Sequence, residues 1–379
     1  MHRETIKRDQ PRRSRWRAVL QLLGVLAVVG GLAWGGIRLF APGPATTVVQ
    51  HMLPCPYSEN IKAFGDSVLY YDGMNIHCMS VSGTVRWSFP IGGNAGFDCN
   101  NKIVTAWAGS TIYILDQNGK SSYNDNLGET IQFARAGNQY VAAVIGDTIK
   151  PRLVVKDHMG AHMDEEADAY TDLILLDVGF YGKNGEYMWT LALDVFGTAA
   201  NSILNTFEVG KMNTGEVSLG ESIVYEVVYE NSNLRVVGTR NMRTFDYRGT
   251  EDITQSVLVY GWRLIDHEVM ERGAAQMLLA PTSQTENQFD IRELRMVSGN
   301  IDRRYSLPGS CVGGVVWQRA LYAIGANRLY RAGMNDSRFA EYEVSLPGEI
   351  TRLIDVTANG WMIVACGEEV YTLSMPVAR

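Results

Sequence analysis

A repeated pattern of short strand-like segments constrains the fold of this chain more than any other feature. In each copy an apolar segment ends in a polar residue and a glycine, and a large side chain follows about four to six positions later. The clearer copies are Ser82-Gly83 before Trp87, Asn118-Gly119 before Tyr123 and Asn184-Gly185 before Trp189, and the weaker ones are Arg248-Gly249 before Ile253 and Ser298-Gly299 before Tyr305. Because glycine tolerates the backbone conformation of tight turns, this repeat predicts a series of β-hairpins.

An apolar, β-branched strand opens each repeat. Seven such strands are visible: Ser67–Tyr71, Lys102–Trp107, Gln139–Ile145, Ile203–Val209, Ser256–Trp262, Gly314–Gln318 and Trp361–Cys366. No long helical stripe of apolar residues interrupts them, so the domain is predicted to be all-β. Seven four-stranded units favour a seven-bladed β-propeller in which the aromatic residues fill the wedges between sheets. A two-sheet sandwich is the alternative, although a domain of about 320 residues is larger than such a fold needs.

An apolar stretch near the N-terminus predicts one transmembrane helix over residues 18–40. Between Ala18 and Ile37 only Gln21 is clearly polar, and at about 1.5 Å per residue this stretch crosses about 30 Å of hydrocarbon. Residues 1–17 carry seven basic and two acidic side chains, whereas Arg38 and Lys62 are the only basic residues from there to position 65. This asymmetry places the N-terminus in the cytoplasm. A cleaved signal peptide is the alternative, but its apolar segment is usually only about 7–15 residues long.

These patterns predict four regions: a cytoplasmic basic tail over residues 1–17, the transmembrane helix over 18–40, a linker over 41–56 and an extracytoplasmic propeller over 57–379. The expected location is therefore the cell membrane, with a single pass. Without residues 1–17 the chain holds 27 basic and 39 acidic residues, a net charge of −12. Because the outer domain is so acidic, nucleic acid and anionic lipid are unfavourable partners for it.

Two segments resemble a known repeat. The segment Ile112 to Lys120, and the end of the motif from Asn184 to Trp189, resemble the quinoprotein-like (PQQ-like) propeller repeat, in which a strand ends in a polar turn closed by glycine and tryptophan follows. The layout of basic tail, single helix and degenerate propeller also resembles a family of membrane-anchored propellers from Gram-positive, clostridia-like bacteria. The resemblance covers roughly residues 57–375 and implies a fold rather than an activity.

The cysteines argue against a quinone cofactor. In the resembled class, members that bind the quinone have adjacent disulfide-forming cysteines, and no two cysteines are adjacent here. The five are Cys55, Cys78, Cys99, Cys311 and Cys366. Their spacing lacks paired CxxC motifs, and their odd number leaves at least one outside any intrachain disulfide. We expect most of them to be buried as small hydrophobic residues, and we predict no cofactor.

The segment from Lys156 to Asp168 is the richest in potential metal ligands. His158 and His162 are four residues apart, so on a helix they would share a face and bind a transition metal together with Asp164 or Glu165. Gly160 lies between the two histidines and no third ligand can be assigned elsewhere, so we interpret the segment as a solvated acidic loop without a metal. Neither a Gly-x-Ser-x-Gly motif nor a phosphate-binding loop is present, and no catalytic residue is assigned.

Two functional hypotheses follow. The first is a binding or scaffolding module that presents long loops, around residues 146–170, 210–222 and 268–288, to an envelope protein or a cell-wall polymer. The second is an envelope glycan hydrolase or lyase whose active site combines residues from several blades. Carboxylates or histidines gathered at the mouth of the central channel would favour the enzyme, whereas a neutral, apolar mouth would count against it.

Overall fold

A computed structural model describes residues 48–377 except 212–214, 218, 221, 231–232, 247, 271–272 and 287–289, and these residues form eight four-stranded antiparallel sheets. The sheets are the blades of a β-propeller. In blades 1–7 the four strands follow each other along the chain from the inner to the outer edge. In blade 8 the outer strand is β1 (Gln50–Pro56), which pairs with the last strand of the domain and closes the ring.

The blades in the first half of the ring contain β2 to β17. Blade 1 consists of β2 (Ile61–Phe64), β3 (Ser67–Tyr71), β4 (Asn75–Ser80) and β5 (Val85–Pro90). Blade 2 consists of β6 (Ala95–Cys99), β7 (Val104–Ala108), β8 (Thr111–Leu115) and β9 (Ser121–Asn126). Blade 3 consists of β10 (Ile131–Ala136), β11 (Tyr140–Asp147), β12 (Lys150–Asp157) and β13 (His162–Glu166). Blade 4 consists of β14 (Ile174–Tyr181), β15 (Tyr187–Asp194), β16 (Asn201–Glu208) and β17 (Gly215–Val217).

The remaining blades contain β18 to β32. Blade 5 consists of β18 (Val224–Glu230), β19 (Asn233–Gly238), β20 (Asn241–Asp246) and β21 (Val257–Leu258). Blade 6 consists of β22 (Trp262–Glu268), β23 (Gln276–Pro281), β24 (Ile291–Ser298) and β25 (Ile301–Cys311), with a short helix α1 (Thr282–Glu286) between β23 and β24. Blade 7 consists of β26 (Gly313–Trp317), β27 (Ala320–Ile324), β28 (Arg328–Gly333) and β29 (Ala340–Glu343). Blade 8 consists of β30 (Arg352–Val356), β31 (Trp361–Cys366), β32 (Glu369–Ser374) and β1, and two 3₁₀ turns span Asp168–Tyr170 and Ile253–Gln255.

The prediction of an all-β propeller is confirmed, but two parts of the predicted fold need correction. The ring has eight blades, whereas seven were predicted. The predicted strand Ser256–Trp262 covers β21 of blade 5 and the start of β22 of blade 6, so the prediction counted two blades as one. The transmembrane helix predicted over residues 18–40 is not supported: it lies outside the described residues, and among those that are described no helix is long and apolar enough to cross a membrane.

The hydrophobic core is divided among the interfaces between blades. Within the described residues it forms eight clusters, each shared by two neighbouring blades. Second strands are buried on both faces, as in Val141–Ile145 of β11 and Met362–Cys366 of β31. Outer strands instead alternate between partly buried and exposed positions, as in β9. This gradient from continuous to alternating burial follows from stacking each sheet between two others while leaving its outer edge in water.

An Asp-x-x-Gly turn recurs between the third and fourth strands. In blade 2 the carboxylate of Asp116 accepts the backbone N–H groups of Asn118 and Lys120, and Gly119 has a φ of 73°. Glycine is also needed there because a Cβ at position 119 would lie 2.4 Å from the ring of Trp87 in blade 1. Trp87 additionally donates from Nε1 to the carbonyl oxygen of Gln117 at 2.9 Å. Trp87, which follows the Gly83 turn of blade 1, thus packs onto the corresponding turn of the next blade.

The segments predicted as long loops consist largely of regular structure. Residues 146–170 contain β12 and β13 of blade 3, and residues 268–288 contain β23 and α1 of blade 6. Within residues 210–222 the described part contains β17. Likewise Gln50–Pro56, at the end of the predicted linker, forms β1. The loops that remain are short, so any binding surface is built from several blades.

Candidate functional site

The inner strands of the eight blades surround a central channel. All eight run in the same direction, from the face that we call the top face to the opposite, bottom face. The connections between blades, and those between second and third strands, therefore lie on the top face. In blades 4, 5, 6 and 8 the inner strand has a bulge immediately before a carboxylate, at Asp177, Glu226, Asp266 and Asp355. A bulge re-aims the following side chain, so four blades present an acid at the same level.

These four residues and Asp98 of blade 2 are together called the channel carboxylates, and all of them except Glu226 link neighbouring blades. Three accept a backbone N–H group from the next inner strand: Asp98 from Ala136 at 3.0 Å, Asp266 from Val316 at 2.7 Å and Asp355 from Ala63 at 2.8 Å. Two form ion pairs across blades, Asp98 with Lys62 at 2.6 Å and Asp177 with Arg135 at 2.8 Å. These carboxylates therefore satisfy backbone donors on the unpaired, channel-facing edge of the neighbouring inner strand.

Surrounding protein changes the acidity of this ring. Burial, with a contribution from the nearby Asp177 carboxylate, raises the pKa of Glu226 to about 7, and the Val227 N–H and Arg135 oppose this increase. Burial also raises the pKa of Asp266 to about 7, and Asp355 and Glu268 add to that increase. The pKa values of Asp177 and Asp355 are raised too, chiefly by burial. The channel thus holds carboxylates that change charge near neutral pH.

A cavity of ≈820 Å³ occupies the side of the channel formed by blades 6, 7, 8 and 1. Arg263 and Arg352 line its top end, Asp266 and Asp355 lie along its wall, and Glu268 is at its bottom end. Apolar wall residues include Ile265 and Ile354, which are the bulge residues of their strands. The guanidinium of Arg352 is already engaged by the hydroxyl of Tyr57 and lies 3.7 Å from Glu59. The cavity is large enough for a small ligand and has cations at one end and acids within.

A second candidate is an exposed surface on the top face of blades 4, 5 and 6. Large apolar side chains stand in its loops: Phe196 is 62% exposed, Leu258 is 67% exposed and Tyr260 is 73% exposed. Ile223, in the connection between blades 4 and 5, is also exposed. Two exposed arginines complete the surface, which we call the top patch and define as Phe196, Ile223, Arg240, Leu258, Tyr260 and Arg263. Such a concentration of exposed apolar groups is typical of an interaction site.

The histidine pair predicted as a possible metal site lies in a hairpin. His158 is in the turn between β12 and β13 and donates from Nε2 to the carbonyl oxygen of Gly137 at 3.2 Å, while burial lowers its pKa. His162 is exposed at the start of β13, and Asp164 accepts the N–H of Gly210. Across the described part of the chain, no group of three or more His, Cys, Asp or Glu side chains is arranged to hold a metal ion.

The cysteines are all free thiols in the structure. Cys55, Cys78, Cys311 and Cys366 are buried, and Cys99 is partly buried. Burial raises the pKa of Cys55 to about 11 and that of Cys99 to about 12. Thiols in such surroundings stay protonated at neutral pH and are poor nucleophiles.

Sequence reasoning missed the channel carboxylates, although a weak local signal exists. Three inner strands contain two apolar residues, an aspartate and a further residue: Leu175-Leu176-Asp177-Val178, Leu264-Ile265-Asp266-His267 and Leu353-Ile354-Asp355-Val356. An acid in the middle of an apolar strand is unexpected unless it has a partner. Recognising that the three segments are equivalent would have required the correct blade register.

Comparison with known proteins identifies the architecture. No family model matches the chain, and no curated protein matches it either. Among solved structures, BamB from Moraxella catarrhalis superposes with a TM-score of 0.55 at 10% identity, over 87% of this chain and 99% of BamB. Sqt1 from Saccharomyces cerevisiae superposes with a TM-score of 0.57 at 9% identity, over 87% of this chain and 100% of Sqt1. What they share is the propeller fold.

The tricorn protease is a third similar structure, with a TM-score of 0.53 at 10% identity over 80% of this chain and 36% of the protease chain. BamB is itself a propeller of PQQ-like repeats, and what its similarity shows for this chain is the β-propeller fold. A link to the membrane-anchored family of clostridia-like bacteria is not shown by any of these similarities. At identities this low the fold is the only property that transfers.

Proposed function

We propose that this propeller is a binding or scaffolding module of the cell envelope and that its top face binds a protein partner. The observation that carries the proposal is the top patch, in which several large apolar side chains are exposed on neighbouring loops. Its composition supports a protein partner over a cell-wall polymer, because aliphatic groups gain more by packing against another protein than against hydrated sugar. The propeller neighbours BamB and Sqt1 are consistent with a binding role.

The extracytoplasmic location in the envelope is part of the proposal. It rests on the charge asymmetry at the N-terminus and on the acidity of the rest of the chain. A tag placed at Arg379 and probed in intact and permeabilised cells tests it. Protease digestion of the tag in intact cells would support the proposal, and protection until permeabilisation would contradict it.

The binding role is tested by affinity capture with the full chain from solubilised membranes. We expect Phe196→Ser/Leu258→Ser/Tyr260→Ser to lose the partner protein that the unchanged chain captures. Val269→Ser/Ile301→Ser is the matched control, because both residues are exposed apolar residues on the bottom face. Capture of the same proteins by both variants would contradict the top patch as the binding surface. Capture of nothing above a tag-only control, together with binding of wall fragments, would replace the protein partner with a polymer.

A glycan hydrolase or lyase is the second candidate, and one observation favours it. Asp266 and Asp355 line one cavity, and Asp266 has a pKa near 7, which suits a general acid at neutral pH. Against it, both carboxylates accept backbone N–H groups that bind neighbouring blades. Incubating the full chain and Asp266→Asn with cell-wall glycan fragments separates the roles: turnover by the unchanged chain alone would support the enzyme, and no turnover by either would reject it.

A further inference from the structure

Two exposed arginines lie in the top patch. Some exposed arginines pair with a carboxylate, as in Arg86 with Asp66 at 2.9 Å and Arg328 with Glu341 at 2.9 Å, whereas others do not. Arg240 and Arg263 are exposed, and neither forms an ion pair with any residue in the described ranges. In a chain with a strong acidic excess, two exposed cations without an acid partner leave a local positive potential.

A groove of ≈330 Å³ opens beside Arg240, between blades 4 and 5. Leu219, Ile223, Val224 and Val236 form the apolar part of its wall, and polar residues such as Asn241 and Arg243 form the rest. Ala199 and Ala200, which belong to the same loop as Phe196, form its other side. The volume matches one or two large apolar side chains, and small residues on the rim leave it open.

Backbone hydrogen bonds hold the loops around this groove in place. The N–H of Ser202 donates to Ser222 O at 3.2 Å and that of Thr239 donates to Ile223 O at 3.0 Å. The next link in the series joins Val259 N–H to Arg240 O at 2.8 Å. Blades 4, 5 and 6 are thus connected across the patch, so a ligand would meet a largely preformed surface, which lowers the ordering cost of binding.

Arginine and aromatic side chains continue the surface toward the outer edge of blade 6. The guanidiniums of Arg304 and Arg295 lie 5.0 Å and 5.7 Å from the ring centre of Trp262. Arg295 also donates to the carbonyl oxygen of Leu258 at 2.9 Å and pairs with Asp302, whereas Arg304 is exposed. Arginine, tyrosine and tryptophan are the residues that contribute most to protein interfaces.

We propose that the top patch binds an acidic segment of a partner protein, with an apolar side chain in the groove and carboxylates on Arg240 and Arg263. This inference rests on the proposed binding role and adds the chemistry of the occupant. Charge complementarity selects an acidic ligand, because the two guanidiniums have no carboxylate partner in the described parts of the chain. The apolar part of the groove favours a polypeptide over an anionic polymer, which would offer charge but no apolar side chain to fill it.

Peptide binding to the full chain tests this inference. The probes are three fluorescent synthetic twelve-residue peptides: one alternates glutamate with leucine or phenylalanine, one replaces glutamate by lysine, and one replaces the apolar residues by serine. We expect the acidic–apolar peptide to bind at least about tenfold more tightly than either of the others, because each of them lacks one of the two complementary features. Its affinity should fall when the salt concentration is raised from about 50 to about 300 mM, since exposed ion pairs are screened.

Charge reversal on the protein completes the test. Arg240→Glu/Arg263→Glu should weaken binding of the acidic–apolar peptide by at least about tenfold. Arg338→Glu is the control, because Arg338 is exposed in the loop between β28 and β29 on the bottom face, and it should leave the affinity unchanged. Thermal unfolding of each variant confirms that the fold is retained.

Three results would overturn the inference. Equal affinity for the acidic and basic peptides would remove the charge argument, and equal affinity for the serine-containing acidic peptide would point to an anionic polymer. Unchanged binding by the double arginine variant would place the site elsewhere. If affinity capture still recovers a partner through the top patch in any of these cases, the binding role stands while the acidic occupant is rejected.

Discussion

Replacing Asp266 by asparagine should stabilise the propeller at alkaline pH. Asp266 lies on a bulged inner strand and accepts the N–H of Val316 from the next blade at 2.7 Å. Burial, together with Asp355 and Glu268, raises its pKa to about 7 from the usual 3.8. Asparagine keeps an acceptor oxygen for Val316 but carries no charge, so the change removes the ionisation cost and retains the link between blades.

The sign and the size follow from the raised pKa. A carboxyl group whose pKa is higher in the folded than in the unfolded state stabilises the fold through its protonated form. This contribution is complete below about pH 4 and is lost as the pH rises through about 7. Between a pKa of 3.8 and one of about 7, the ionisation cost at pH 8 is at most about 4 kcal/mol. Solvent in the channel screens part of this ionisation cost. We therefore expect Asp266→Asn to increase the free energy of unfolding by about 1–3 kcal/mol at pH 8 and by little at pH 4.

Thermal unfolding of the full chain from pH 4 to pH 8 measures this effect. The difference in melting temperature between Asp266→Asn and the unchanged chain should increase steadily with pH. Asp168→Asn is the control, because Asp168 is exposed in the 3₁₀ turn before blade 4. A pH-independent difference would show that the charge of Asp266 does not control the stability of this site. A loss of stability at pH 8 would show that the hydrogen bond to Val316 requires a carboxylate.

Three further predictions concern single features of the ring. Glu226→Gln should likewise flatten the fall in melting temperature between pH 5 and pH 8, because burial raises the pKa of Glu226 to about 7; an unchanged pH profile would contradict this. Gly360→Ala should cost about 2–4 kcal/mol in urea unfolding, since position 360 has a φ of 79° and a Cβ there would lie 2.4 Å from the ring of Trp317. Gly109→Ala, at a φ of 58° with open space around it, should cost only about 1 kcal/mol, and equal losses would refute the steric argument. His158→Ala/His162→Ala should leave the metal content of the purified chain unchanged by mass spectrometry, and loss of a stoichiometric metal would contradict the hairpin interpretation.

The hairpin repeat could be predicted because its physics is local. Gly83 and Gly119 adopt positive φ in the turns where the sequence places them, and Trp87 fills the space between two sheets as the pattern indicates. Asn184-Gly185 was interpreted as the same turn, yet it connects the first and second strands of blade 4. The true counterpart in blade 3 is the turn containing Gly160, which closes Asp157-His158-Met159-Gly160. A glycine turn alone does not specify which hairpin of a blade it closes.

The blade number and the candidate sites depended on longer-range information. Blade 5 ends in a strand of two residues, Val257–Leu258, so the usual strand spacing is lost where blade 6 begins. The channel carboxylates come from strands far apart in sequence, and only closure of the ring gathers them. The top patch likewise combines loops from three blades, none of which is unusually apolar by itself.

β1 is synthesised long before β32, the strand with which it pairs. β1 pairs with β32, and residues 57–368 separate the two strands, so a nascent chain must keep β1 without its partner throughout synthesis of the intervening blades. An unpaired strand is a template for wrong pairing with other chains. Pro54 and Pro56 lie in β1, and proline supplies no N–H for a ladder. The strand that completes the ring thus carries its own protection against premature association.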